Sequence, residues 1–344
     1  MIKFDDIGSY PLPKDISRDW ATLAIKTGDQ KYFDIIRDAM LQKIDAGIDV
    51  PTYPQFQDMT KQFLEIINAG PLEELVLRKN ARIMELIALE DIGKEYRKKT
   101  GNMLNIRVCI TGPIELYMSQ FGGTAYKDIL DIFATDVDRF IANSIDNAKN
   151  FIITTISIDE PSIGINPQIM FSDDDIIDAL EKASETSWSH KIDTEIHLHS
   201  PLHYGLICKT RSVGIIGVES AANPSYLDLI DKKDLEDYDK FLRLGIARTD
   251  IFNMAAVLNE IHGINVWKDP SRLEEIVTTM ETPRIIEKRL GKYYKTFCDR
   301  IKYAGPDCGL GAWPTQGLAF GLLKNTSLGM KEFSRKNKRR DYTE

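Results

Sequence analysis

Residues 151–161 read FIITTISIDEP. The stretch is a short β-branched run, the composition that suits a pleated strand. It stops at two carboxylates, Asp159 and Glu160, followed by a proline. Runs of the same kind recur along the chain: 4–8 (FDDIG), 47–52 (GIDVPT), 105–112 (NIRVCITG), 194–200 (TEIHLHS), 213–220 (VGIIGVES), 243–249 (RLGIART) and a short one entering 304–309 (AGPDCG). Between them lie longer segments such as KYFDIIRDAMLQKIDAG, TKQFLEIINAG, LEELVLRKNARIMELIALEDIGKEYRKKTG and YKDILDIFATDVDRFIANSIDNAKN, with apolar residues at helical spacing. Several end at Gly or Asn, the usual helix stop. Strands alternating with helices imply a parallel sheet covered by helices. About eight such units predict an α/β fold, a (β/α)8 barrel. An open doubly wound sheet is disfavoured because no GxGxxG follows the first strand. The charged, helical stretch at about 253–300 reads as an insertion between strands seven and eight of a single domain spanning 1–344.

The chain has 344 residues, 43% of them hydrophobic, and a net charge of −8. That supports a large core and disfavours nucleic acid or an anionic membrane surface as a partner. The basic run SRKNKRRDY (334–342) is expected to be a solvated end. No apolar run of about 18 residues suggests a membrane span. The polar N-terminus does not resemble a signal peptide. Cys109, Cys208, Cys298 and Cys308 form no CxxC pair, so a cytoplasmic chain with reduced thiols is expected.

In such a barrel the chemistry gathers at the C-terminal strand ends. Here those ends carry Asp159 and Glu160, His197 and His199, Glu219, and Cys308. Residues i and i+2 of a strand share a face, so His197 and His199 point the same way and either can meet Glu219 from the next strand. One imidazole, one carboxylate and one thiolate make a zinc set with a position left open. Thiolate and imidazole favour zinc over magnesium or calcium. Asp307 is expected to orient the Cys308 loop by hydrogen bonding rather than to ligate.

The ordered motifs DIGSYP at the start, GIDV…DM at 47–59, TGP at 111–113, ISIDEP at 156–161, IHLHS at 196–200, GVES at 217–220 and GPDCGLGAWP at 305–314 resemble the catalytic, C-terminal barrel of cobalamin-independent methionine synthase. The resemblance implies a TIM barrel of the uroporphyrinogen decarboxylase/methionine synthase type. It also implies methyl transfer to the zinc-activated thiol of homocysteine, giving methionine. That family holds zinc with a His, two Cys and a Glu. Carried onto this chain, the metal ligands are His199, Glu219 and Cys308. The second Cys falls on Pro201, which cannot ligate, leaving His197, His203 and Cys208 as alternatives for a fourth ligand. The implied substrate residues are Ile7 and Ser9 for the amino-acid carboxylate and amine, and Asp159 for the ammonium group. Gln55 stands where the family has another carboxylate.

The folate-using enzyme also has an N-terminal barrel, and a histidine after strand seven. In place of that histidine this chain has GIARTDIF, with Asp250 the nearest titratable group. The resemblance therefore implies the short, folate-independent archaeal and bacterial type, taking its methyl group from a methylcorrinoid or a corrinoid protein. The competing readings are a corrinoid-dependent methyltransferase acting on another thiol such as coenzyme M, and a non-catalytic barrel with a degenerate zinc site.

Overall fold

A computed structural model describes residues 1–71 and 73–340. Its centre is a seven-stranded parallel sheet of β1 (Lys3–Phe4), β2 (Leu104–Thr111), β3 (Phe151–Asp159), β4 (Asp193–Leu198), β5 (Ile215–Val218), β6 (Phe241–Ala247) and β7 (Ile301–Pro306). The order β1-β7-β6-β5-β4-β3-β2 leaves β1 and β2 at the two edges. Residues 50–52 close that gap. Val50 bridges Asp5 and Thr52 bridges Arg107, both in parallel sense. The sheet is thus a barrel with an eighth, irregular stave.

That stave is the expected strand at 47–52, which forms isolated bridges rather than a strand. Pro51 explains the difference, because it has no N–H to give to a ladder. Its carbonyl still accepts from Arg107 N at 3.1 Å, and Val50 N donates to Phe4 O at 3.0 Å. The first expected strand, 4–8, contracts to Lys3–Phe4, and the last shifts back to Ile301–Pro306. Between β1 and β2 the expected long helix from Leu72 is helical only over Glu85–Thr100. Upstream, tertiary contacts replace helix bonds: Val76 N donates to Asp136 and Asn143 Nδ2 to Arg78 O. Leu72 itself lies outside the described residues.

The outer layer is built from amphipathic helices whose apolar faces cover the sheet. Lys127–Asn147 buries Leu130, Phe133, Val137, Phe140 and Ile141. Gln30–Ala46 buries Tyr32, Ile36, Ala39 and Met40, is capped by Asp29, and stops at Gly47 in the left-handed region (φ 92°). Between β6 and β7 lie the helices Ile251–His262 and Pro283–Phe297, joined by the 3-10 turn Val266–Lys268, the short helix Pro270–Leu273 and the π-helical turn Ile276–Met280. The last helix, Gln316–Arg340, contains the basic run up to Arg340, where Lys336 pairs with Glu287; Asp341 and Tyr342 of that run lie outside the described residues. Among the described residues no helix is long and apolar enough to cross a membrane.

Candidate metal centre

The ends of β4, β5 and β7 deliver the cluster. β4 runs Asp193–Leu198, with Leu198 turned into the core and His197 into the barrel. Two residues on, His199 continues the same face beyond the last ladder pair. Glu219 follows β5, and Cys308 follows β7 by two residues. One ligand atom from each of His197, His199, Glu219 and Cys308 lies within 4.8 Å of the other three.

The separations fit a single ion. His199 Nε2 is 3.4 Å from Glu219 Oε1, His197 Nε2 is 3.7 Å from the same oxygen, and Cys308 Sγ is 3.9 Å from His199 Nε2. Zinc bonds of roughly 2.0–2.3 Å in a tetrahedron place ligand atoms about 3.4 Å apart. Both ring nitrogens of His197 are buried and have no hydrogen-bond partner. A buried imidazole without partners lacks a compensating bond that a metal would supply. The donor set, with its thiolate and imidazoles, suits zinc.

Electrostatics point the same way. Burial pushes the Cys308 thiol up, but His197 and His199 more than offset this and hold it below its ordinary value. Burial works against protonated His197, yet Cys308 and Glu219 raise it to about 10. The cluster thus sets a thiol and a carboxyl group held below their ordinary values against imidazoles held above theirs, an arrangement that can exchange protons for a dication.

Two carboxylates tie the surrounding loops together. Asp307 is buried and accepts from Ala221 N at 2.8 Å and Ala222 N at 2.7 Å, linking the Cys308 loop to the segment after Glu219. Glu160 accepts from Ile114 N and Glu115 N at the start of the helix Pro113–Phe121, so its carboxylate is occupied there.

The other expected residues adjoin this centre. Asp159 ends β3 as the register partner of His197 and accepts from Ser157 Oγ at 2.7 Å. Ser9 accepts from Gly311 N through Oγ and from Leu310 N through its carbonyl, so the loop of Ile7 and Ser9 is stitched to the segment after Cys308. Gln55 is buried, bridges Ser9, and donates to Tyr53 OH. Its side chain packs on Gly8 (φ +81°), where a Cβ would overlap Gln55 Oε1.

Of the three alternatives for a fourth ligand, only His197 joins the cluster. His203 sits in the short turn Pro201–His203, beside Gly164. Cys208 is packed into the core from the helix Tyr204–Lys209, and burial pushes its thiol up to about 11. Pro201 comes after the strand has ended and opens that turn.

The barrel matches solved structures along its whole length. A B12-independent methionine synthase from Shewanella sp. W3-18-1, in complex with selenomethionine, superposes with a TM-score of 0.65 at 15% identity, covering 98% of this chain and 99% of the other. A methyltransferase from Methanosarcina mazei gives a TM-score of 0.57 at 13% identity, covering 97% and 95%. The fold is a TIM barrel of the methionine synthase type. No protein-family model and no curated protein sequence matches the chain.

Sequence reasoning missed the buried charges beneath the site: Asp5, Arg107, Glu195 and Arg243, all fully buried. Their signal was parity. Glu195 and His197 share the inward face of β4, as Arg107 and Cys109 share that of β2.

Proposed function

We propose that this protein is a methyltransferase that moves a methyl group onto the thiol of homocysteine to give methionine, using zinc held by His197, His199, Glu219 and Cys308. The observation that carries this reading is the convergence of those four ligand atoms within 4.8 Å at the strand ends. With His197 included, the two-residue spacing of the ligand pair is His197–His199, and His199 takes the place of the thiolate otherwise sought at Pro201. Zinc at this position would keep the substrate sulfur as thiolate, the form that attacks a methyl carbon.

The remaining residues hold the amino-acid part of the substrate. Asp159, one strand from His197, accepts the ammonium group. The backbone of Ile7 and the hydroxyl of Ser9 bind the carboxylate and amine beside the Cys308 loop. Gln55 offers one neutral acceptor. The sulfur–carbon bond forms as the donor–methyl bond breaks, and the donor keeps the electron pair. Two imidazoles, one carboxylate and one thiolate leave the zinc site neutral before substrate binds, and about −1 afterwards. A sulfur with that little excess charge needs a reactive methyl group, which favours a methylcorrinoid or corrinoid protein as donor. The fold similarity to a B12-independent methionine synthase supports the thiol and the product rather than the donor.

The test combines elemental analysis with an assay of homocysteine against methylcobalamin and against methyltetrahydrofolate. Stoichiometric zinc and methionine formation with methylcobalamin are expected. Activity confined to methylfolate would overturn the donor assignment, and methylation of coenzyme M in preference to homocysteine would overturn the substrate. A purified protein with no zinc affinity would point to the non-catalytic barrel.

A further inference from the structure

Beneath the metal cluster the barrel encloses four charged side chains with no exposure to solvent: Asp5, Arg107, Glu195 and Arg243. Arg107 Nη1 donates to Asp5 Oδ2 at 2.7 Å and to Glu195 Oε2 at 2.5 Å, and Nη2 donates to Glu195 Oε1 at 2.8 Å. Arg243 Nε donates to Asp5 Oδ1 at 3.0 Å. Two cations facing two anions form a neutral group, which buried charge requires. A bidentate guanidinium also fixes a carboxylate in orientation as well as position.

Glu195 stands two residues before His197 on β4, on the same inward face. Its Oε1 lies 4.0 Å from His197 Nδ1, while His197 Nε2 faces Glu219. The neighbouring strand makes room for this arrangement. Gly217 is the register partner of His197, and a Cβ there would run into Glu195 Oε1 and stand 3.2 Å from His197 Cα. Neither ring nitrogen of His197 has a hydrogen-bond partner; Glu195 stands at ion-pair distance from Nδ1 and Glu219 from Nε2. The imidazole therefore has one face toward a clamped carboxylate and the other toward the metal cluster. A ligating histidine is oriented in this way when its second nitrogen donates to a carboxylate.

We infer that Glu195, clamped by Arg107, is a positioning residue that holds His197 with its proton on Nδ1 and leaves Nε2 to the metal. Arg107 extends the clamp to the substrate side: its Nη2 donates to Ser157 Oγ at 2.8 Å, and Ser157 Oγ donates to Asp159 Oδ1. One guanidinium thus registers the metal half of the site against the half that holds the ammonium group. This inference rests on the zinc reading above.

The test measures zinc affinity by competition with a chromophoric chelator, with Co2+ absorption as a second readout, on wild type, Glu195→Gln and Asp5→Asn. Glu195→Gln is expected to lose about 10–100-fold in zinc affinity. Asp5→Asn opens the same network away from His197, so it should melt earlier yet bind zinc nearly as wild type does. Unchanged affinity in Glu195→Gln, or an equal loss in both variants, overturns the inference. If Glu195→Gln does not fold, 15N spectra of histidine-labelled, zinc-loaded wild type decide it: a protonated Nδ1 and a metal-shifted Nε2 on His197 support the clamp, and a metallated Nδ1 overturns it. Failure of the wild type to take up zinc would overturn the metal reading together with the clamp, which separates the two failures.

Discussion

Asp5→Asn tests how far the buried network holds the barrel together. Asp5 is fully buried at the start of the chain and accepts from Arg107 on β2 and Arg243 on β6. Its carboxylate is therefore a tie across the barrel interior, between strands far apart in sequence. The Asn side chain keeps the shape and removes the charge. Two guanidinium groups then face the single carboxylate of Glu195, leaving one buried positive charge without compensation. Removing one partner of a buried pair costs about 3–5 kcal/mol. An unfolding entropy of roughly 2.1 cal/mol/K per residue over 344 residues comes to about 0.7 kcal/mol/K, so Tm should fall by about 4–7 °C. Thermal unfolding followed by circular dichroism and by calorimetry measures this. The exposed pair Lys94–Asp91 is the control, and Asp91→Asn should leave Tm almost unchanged. A Tm for Asp5→Asn within about 1 °C of wild type would refute the reasoning, because it would mean that the interior tolerates the charge.

Other outcomes follow from the same geometry. Zinc binding should release protons and strengthen as pH rises. His197 is raised to about 10, so it is protonated near neutrality and must lose its proton to ligate. Calorimetry in two buffers of different ionisation enthalpy reads the proton count, and a count of zero would contradict the reading. The same shift sets a stability window: the contribution of protonated His197 in the metal-free protein is fully present below the ordinary histidine value of 6.5 and is lost as pH rises through about 10. Iodoacetamide should label Cys308 ahead of Cys109 and Cys208, whose buried thiols are pushed up to about 12 and about 11, and zinc should protect Cys308; peptide mass mapping shows the order. Gly217→Ala should destabilise by about 1–3 kcal/mol and weaken zinc binding, since its Cβ meets the Glu195 carboxylate and the His197 backbone. Denaturant unfolding measures the first effect and chelator competition the second.

Much of this protein was written in local sequence. The β-branched runs and helical spacings were sufficient to predict a parallel barrel, because each element carries its own periodicity. The polar strand ends named Asp159, Glu160, His197, His199, Glu219 and Cys308 as candidates, since period-two alternation decides which side chains share a face, and the family resemblance singled out His199 and Asp159 among them. Tertiary structure decided the rest. Pro51 turned a predicted strand into two isolated bridges, an outcome that depends on what lies on either side of it. Which of His197, His203 and Cys208 stands with His199, Glu219 and Cys308 depends on where β4 ends and the next turn begins. Least legible was the buried network of Asp5, Arg107, Glu195 and Arg243. A charged residue inside an apolar run reads as a surface residue until its partner is known, and these partners come from strands up to 238 positions apart. Burial makes the charges costly alone, and only the closed barrel brings the opposite charges together.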